Sequence, residues 1–290
     1  MGLFGNEDAS RRTIPQFGKE IQFILTLNAS LRCKLCLCYF GNRESNILSM
    51  EYLLLVSLFV IAFLYSSVGH GGGTGYLALL ALFGVAPLFM KSTALTLNVF
   101  VSAIAFFAYY KAGYFRWKLI LPFLVTSIPF SYFGALVPVS SSVYKIILGI
   151  FLLLAAARMV LNPKAFSEES KTVPFILAIT IGAILGFFSG MIGIGGGIIL
   201  SPLLIQMHWA NVKESATASA LFIFLNSLSG LFALVNKGFS MEPRIIAWIA
   251  VGIAGGIAGS YIGSSRLKPR QLKYLLASVL FLASIKLILL

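Results

Sequence analysis

The sequence predicts an all-α polytopic membrane protein made of two related halves, on three observations. Of the 290 residues, 59% are hydrophobic and 11% charged, with a mean hydropathy of +0.94, a composition foreign to an ordinary water-soluble domain. The net charge is +13, yet from Met50 onward the basic residues fall almost entirely between or at the ends of apolar runs, the pattern of membrane topology and not of nucleic-acid binding. Finally, the glycine cluster Ser67-Val68-Gly69-His70-Gly71-Gly72-Gly73 recurs as Gly190-Met191-Ile192-Gly193-Ile194-Gly195-Gly196-Gly197. Pairing Gly69 with Gly193 also pairs Gly71, Gly72 and Gly73 with Gly195, Gly196 and Gly197.

Residues 1–49 differ from everything after them, holding six of the 22 Lys and Arg, four of the nine Asp and Glu, and all three cysteines. Ile21 to Leu27 is too short to span a bilayer and makes a poor signal-peptide core between Lys19-Glu20 and Arg32. Cys33, Cys36 and Cys38 lack a nearby fourth ligand, so no metal site and no cofactor is expected. The expectation is an N-terminal extension, poorly ordered or absent from the mature protein, with Met50 as the biological start.

Ten apolar segments follow, at roughly 51–68, 73–89, 92–110, 118–138, 142–161, 173–190, 195–208, 215–235, 244–264 and 270–289. Several approach the ~20 residues a spanning helix needs. The second and seventh are shorter and open on the glycine clusters, as a half-helix, a re-entrant segment or the broken partner of the preceding helix would. Each carries a proline, Pro87 or Pro202, and leads to a basic turn with Lys91 or Lys213. Small-polar-rich segments come next, Ser92 to Tyr110 and Ser215 to Val235, which end in the similar turns Lys111-Ala112-Gly113 and Asn236-Lys237-Gly238. Five crossings per half turn the second half over, giving inverted repeats at 50–161 and 173–290 joined by the linker 162–172. Taken by alternate loops, eleven basic residues fall on one side (Lys111, Arg116, Lys118, Arg158, Lys164, Lys171, Lys213, Arg266, Lys268, Arg270, Lys273) and five on the other (Lys91, Lys145, Lys237, Arg244, Lys286). The richer side, which includes the linker, is expected to be cytoplasmic.

After Tyr52 the acidic residues are Glu168, Glu169, Glu214 and Glu242, each in a loop. A carboxylate inside the bilayer is the usual device for a proton relay or a bound cation, so its absence points to anions or neutral solutes. Exposed backbone N–H groups and positive helix ends hold anions without a cation, and glycines let a ligand approach them closely. The candidate substrate-binding residues are therefore Gly69, His70, Gly71, Gly72, Gly73, Gly193, Gly195, Gly196 and Gly197. Asn98 and Asn226 join them, because an amide is costly to leave unpaired in lipid. His70 matches Ile194 and so is not part of the repeated device. Gly252, Gly255, Gly256, Gly259 and Gly263 read instead as a helix-packing face. The two histidines, His70 and His208, are far apart in sequence, and neither Ser67 nor Ser189 has a base partner other than His70, so catalysis is not expected. A secondary transporter of small anions is the leading function, with an anion-selective channel next and a membrane-embedded enzyme last.

The duplicated GxGGG pattern, with Lys91 and Lys213 ahead of the small-polar segments, resembles the TauE/SafE sulfite exporter family over about Met50 to Leu290. The resemblance implies export of sulfur-containing oxyanions such as sulfite or organosulfonates. Residues 1–49 have no counterpart in the family, and His70 and Asn98 are not part of its pattern. The expected partners are a small anionic substrate, a coupling ion where transport is gradient-driven, and the lipid bilayer.

Overall fold

A computed structural model describes residues 50–161, 171–239 and 245–265 together with positions 281 and 285. The chain divides into two units, Met1–Leu53 and Leu54–Leu290, and residues 1–49 and most of the linker and of segment 270–289 lie outside the described residues. The described elements are all helices: α1 (Met50–Ser67), α2 (Gly73–Leu82), α3 (Pro87–Lys111), α4 (Trp117–Leu136), α5 (Ser141–Leu161), α6 (Phe175–Ile192), α7 (Gly197–Gln206), α8 (Val212–Asn236) and α9 (Ile245–Ser265). Six of them (α1, α3, α4, α6, α8 and α9) are long and apolar enough to cross a membrane. Large apolar side chains face outward, among them Ile176 at 81% exposure and Phe133 at 60%, as expected of a surface that meets lipid.

Among the described helices, the first four of each half match in length. α1 and α6 have 18 residues each, α2 and α7 ten, α3 and α8 twenty-five, and α4 and α9 twenty and twenty-one. At 1.5 Å per residue, α2 and α7 are about 15 Å long, half of a ~30 Å hydrocarbon core. Each has half the length of a spanning helix.

Two boundaries differ from the sequence reading. Segment 73–89 is not one element: α2 stops at Leu82, Gly84 turns the chain at φ +71°, and Pro87 opens α3. Proline at the first helical position lacks only an N–H that would have no intrahelical partner, and its fixed φ suits the helix. Lys91 is therefore not in a basic turn but is the fifth residue of α3, buried at 6% exposure. On the other side, α8 starts at Val212 because Asn211 and Glu214 form a capping box, with Asn211 Oδ1 accepting from Glu214 N (2.9 Å) and Glu214 Oε2 from Asn211 N (3.1 Å). The starts at 87 and 212 place Lys91 opposite Ala216 in the repeat and Lys213 opposite Leu88.

Each half lends its first helix to the fourth helix of the other. A Cβ on Gly255 would stand 2.6 Å from the Phe59 carbonyl oxygen, and one on Gly259 or Gly263 would collide with the carbonyls of Phe63 or Ser67. The other pair repeats the device with the glycines moved to the first helix: Gly182, Gly186 and Gly190 of α6 lie on the carbonyls of Phe123, Ser127 and Ser131 of α4. Both registers rise together along the two chains, so α1 runs parallel to α9 and α4 parallel to α6. Gly252 and Gly256 sit instead against Leu97 and Val101 of α3. This is small-residue packing, in which the missing side chain lets backbones touch.

The counterpart helices α3 and α8 cross the middle. Leu95 lies against Gly230, while just beyond the end of α3 Arg116 pairs with Glu214 (3.2 Å) and Tyr114 Oη accepts from Lys213 Nζ (2.9 Å). They run antiparallel. The same geometry gathers Arg116, Lys213 and Lys171, whose N–H donates to the His208 carbonyl, at one end of α4. At the other end, Lys91 and Lys237 donate to the last carbonyls of that helix.

Packing of this kind is testable by adding one methyl. Gly186→Ala and Gly259→Ala should each destabilise the protein by roughly 1–3 kcal/mol of overpacking, read as a lower apparent Tm in detergent. Gly230→Ala has only ordinary contacts at 3.4 Å and beyond and should be neutral or stabilising, since alanine is favoured over glycine in a helix by about 1 kcal/mol. Equal losses at all three positions would contradict the assignment.

Candidate functional site around the two helix breaks

Breaking a helix inside an apolar slab frees backbone groups that must find partners. The last residues of α1 and α6, Ser67 and Ile192, each offer a carbonyl to a tyrosine. Tyr109 of α3 donates to Ser67 O (3.0 Å) and Tyr144 of α5 to Ile192 O (2.7 Å). The two tyrosines come from different helices, so the same need is met twice by unrelated positions. Removing either hydroxyl would strand a buried acceptor at a cost of roughly 1–3 kcal/mol.

The glycines then turn the chain. Gly69 and Gly72 have φ of +76° and +93°, and Gly193, Gly195 and Gly196 have +90°, +84° and +74°. These left-handed conformations are ones that side-chain-bearing residues avoid. Gly72 and Gly196 are the N-caps of α2 and α7, with no side-chain cap. By helix geometry the first N–H groups of both half-helices have no intrahelical acceptor.

The two clusters meet. Gly73, at the start of α2, lies against the Ile194 carbonyl, to which Asn98 Nδ2 also donates (3.2 Å). Asn98 reaches both clusters: a Cβ on Gly71 would stand 3.0 Å from its Oδ1, and a Cβ on Gly73 or Gly195 would stand 2.5 or 3.1 Å from its Nδ2. Its repeat counterpart, Ile223 of α8, fills the other side, within 2.8 Å of a Cβ on Gly71, Gly195 or Gly197. Ser227 Oγ lies 3.2 Å from a Cβ on Gly195. Asn98 Oδ1 and Ser227 Oγ are buried and have no hydrogen-bond partner, an arrangement whose cost calls for a reason. The first glycine of each cluster points to an opposite end of the central pair, Gly69 against Ala216 and Gly193 against Lys91.

Nine of the eleven candidate residues are the cluster residues, and of these His70 stands apart. Its Nδ1 donates to the Val68 carbonyl (3.0 Å), a local bond within the turn. Gly72 lies against the Tyr76 ring of its own half-helix, and Gly196 against Phe222. Asn98 sits at the junction, whereas Asn226 bonds its own helix, with Nδ2 donating to Phe222 O (2.8 Å); its backbone carbonyl accepts from Ser131 Oγ (2.8 Å), and its Oδ1, like that of Asn98, is buried without a partner. The asparagines are not counterparts, since the helix starts align Asn98 with Ile223. Tyr109 and Tyr144, which meet the carbonyls at the two breaks, were not among the sequence candidates. Ser227 was legible as one of the small polar residues of segment 215–235, and the repeat register, fixed by Pro87 and the capping box, makes it the counterpart of Ser102.

Helices fit to span a membrane, packed through glycine and interrupted where their polar groups converge, define a polytopic helical membrane protein. Residues 53–287 match the family described as Sulfite exporter TauE/SafE, and the chain belongs to that family. It is 35% identical over 239 residues to the probable membrane transporter protein y4hK of Sinorhizobium fredii, covering 81% of this chain and 97% of the relative. It is 31% identical over 258 residues to the probable membrane transporter protein MJ0441 of Methanocaldococcus jannaschii, covering 80% and 95%. No solved structure matches. The protein is a membrane transporter of the TauE/SafE family.

Proposed function

We propose that the chain is a secondary transporter that exports small oxyanions, sulfite or organosulfonates, and that the junction of its two glycine clusters is the substrate site. The observation that carries this reading is the meeting of both helix breaks around Asn98, with the N-terminal ends of two half-helices beside it. Backbone N–H groups and helix N-termini are anion ligands, and Asn98 Nδ2 and Ser227 Oγ add neutral donors. Interrupted helices at matching points of two repeats are the usual setting of a transporter's substrate site. The Ile223 and Asn98 side chains fill the junction, and a nearby cavity of about 10 Å³ lined by Leu185, Phe188, Ser189, Ile194, Gly196 and Ile199 holds one water-sized particle. A substrate must therefore move elements apart to pass, as in a carrier.

The antiparallel run of α3 and α8 supports reading the halves 50–161 and 173–290 as inverted repeats. In that topology the side with Arg116, Lys171 and Lys213 is cytoplasmic, together with the linker 162–172, and the side with Lys91 and Lys237 is external. Cysteines introduced at Ser167 and at Gly238 should label from opposite sides of the membrane. Labelling of both from one side would sink this topology.

Flux into proteoliposomes, measured side by side for sulfite, a taurine-like sulfonate, sulfate and acetate, tests the substrate class. Saturable flux of sulfite or the sulfonate that responds to a cosubstrate gradient is expected. Conductance that does not saturate would make the protein a channel, and no flux of any anion would overturn the reading. Asn98→Ala should abolish that flux, while Asn226→Ala, whose amide bonds its own helix, should lower the Tm and leave the substrate KM unchanged.

A further inference from the structure

Lys91 is the described cation buried in the membrane body. Its stem covers Gly193, whose Cβ would stand 3.1 Å from Lys91 Cγ, and its ammonium donates to Ala135 O (3.0 Å). Lys237 donates to the next carbonyl, Leu136 O (3.1 Å), from an exposed position. Two ammonium groups thus converge on the last carbonyls of α4, one inside and one at the surface. Among the described residues no carboxylate pairs with either, and the ion pair present, Arg116–Glu214, lies at the other end of α4.

An ammonium carries three donors, and Lys91 uses one. Removing a charge from water without a counter-charge is costly, and an ionisable residue within a membrane span is a functional candidate for that reason. The repeat sharpens the point. Ala216 fills the same place over Gly69 that Lys91 fills over Gly193, so the architecture closes around an alanine and does not require a lysine. Lys91 also precedes Asn98 by seven residues. Two helical turns put both on one face of α3, about 10 Å apart along the axis. Lys91 touches the first glycine of the second cluster, and Asn98 touches the cluster where it meets the other half.

We propose that Lys91 and Lys237 form a cationic mouth for the oxyanion substrate, with Lys237 drawing the anion from solvent and Lys91 holding it beside Gly193 before it reaches or after it leaves the Asn98 junction. The site rests on the anion reading above and extends it. In the proposed topology this is the outer mouth, where an exported anion is released. Capping of α4 by the two lysines is the competing explanation, since cations favour a helix C-terminus. It predicts a loss of stability with no change in anion affinity.

The test uses the full chain in proteoliposomes with sulfite as the probe, together with the sulfite concentration that half-protects the protein against thermal unfolding in detergent. Lys91→Met and Lys91→Ala should each raise the sulfite KM and the half-protecting concentration by about tenfold or more, the scale of a lost hydrogen bond to a charged group. Lys91→Arg should restore most of the affinity. Lys237→Gln should raise KM less and weaken its dependence on ionic strength. Lys111→Gln, at the opposite end of α3, should change neither. A lower Tm with unchanged KM in the Lys91 variants would assign the lysine to capping and overturn the site. If neither neutral Lys91 variant yields folded protein, an unchanged KM and salt dependence in Lys237→Gln would overturn it. Wild-type protein with no saturable anion flux would remove the anion reading and this site with it, whereas wild-type flux with unaltered Lys91 variants would remove the site alone.

Discussion

Every backbone N–H and C=O inside a bilayer must be paired within the protein, and most of this structure is arranged around two places where a helix cannot do that by itself. Ser67 and Ile192 end their helices within the protein core, and the hydroxyls of Tyr109 and Tyr144 take up their carbonyls. Asn98 takes up the Ile194 carbonyl. Acceptors at the breaks are thus provided for, while the N-terminal donors of α2 and α7 have no acceptor within their own helices. That imbalance is what the proposed oxyanion site rests on.

The glycines serve two purposes that differ in geometry. Gly182, Gly186, Gly190, Gly255, Gly259 and Gly263 are helical and lie on a neighbour's carbonyls, so their role is close approach. Gly69, Gly72, Gly193, Gly195 and Gly196 have positive φ, so their role is also to turn the chain. Both kinds are crowded: a Cβ on Gly69 would stand 2.5 Å from Ala216 Cβ, and one on Gly197 2.5 Å from Ile223. A substitution in the clusters therefore strains the fold as well as the site, which makes the side chains of Asn98 and Lys91 cleaner probes of function than the glycines.

The helices, the repeat and the glycine breaks were legible because hydropathy and glycine spacing act locally. Register was harder to read. Pro87 looked like a break within the second segment but starts the third helix, and this moved Lys91 from a turn into a buried helical position. Residues that contact a break from elsewhere in the chain, such as Tyr109 and Tyr144, leave no periodic trace because each break is met from a different helix of the first half. Asn98 and Asn226 were legible as costly amides, one in each half, but a shared side-chain type within a repeat does not fix a shared place. At three matched positions near the breaks the polar residue belongs to the first half, His70, Lys91 and Asn98, against Ile194, Ala216 and Ile223, whereas Lys213 and Asn226 of the second half stand opposite Leu88 and Val101. The helices are matched in length, but the polar side chains are distributed differently over the two halves.

The central claim is that the two breaks form a single oxyanion site. A structure of the protein in lipid nanodiscs with bound sulfite tests it most directly. The account predicts density for the anion within hydrogen-bond distance of backbone N–H groups from both clusters, with Asn98 as a side-chain ligand. Sulfite density away from the junction, or bounded by one cluster alone, would contradict it.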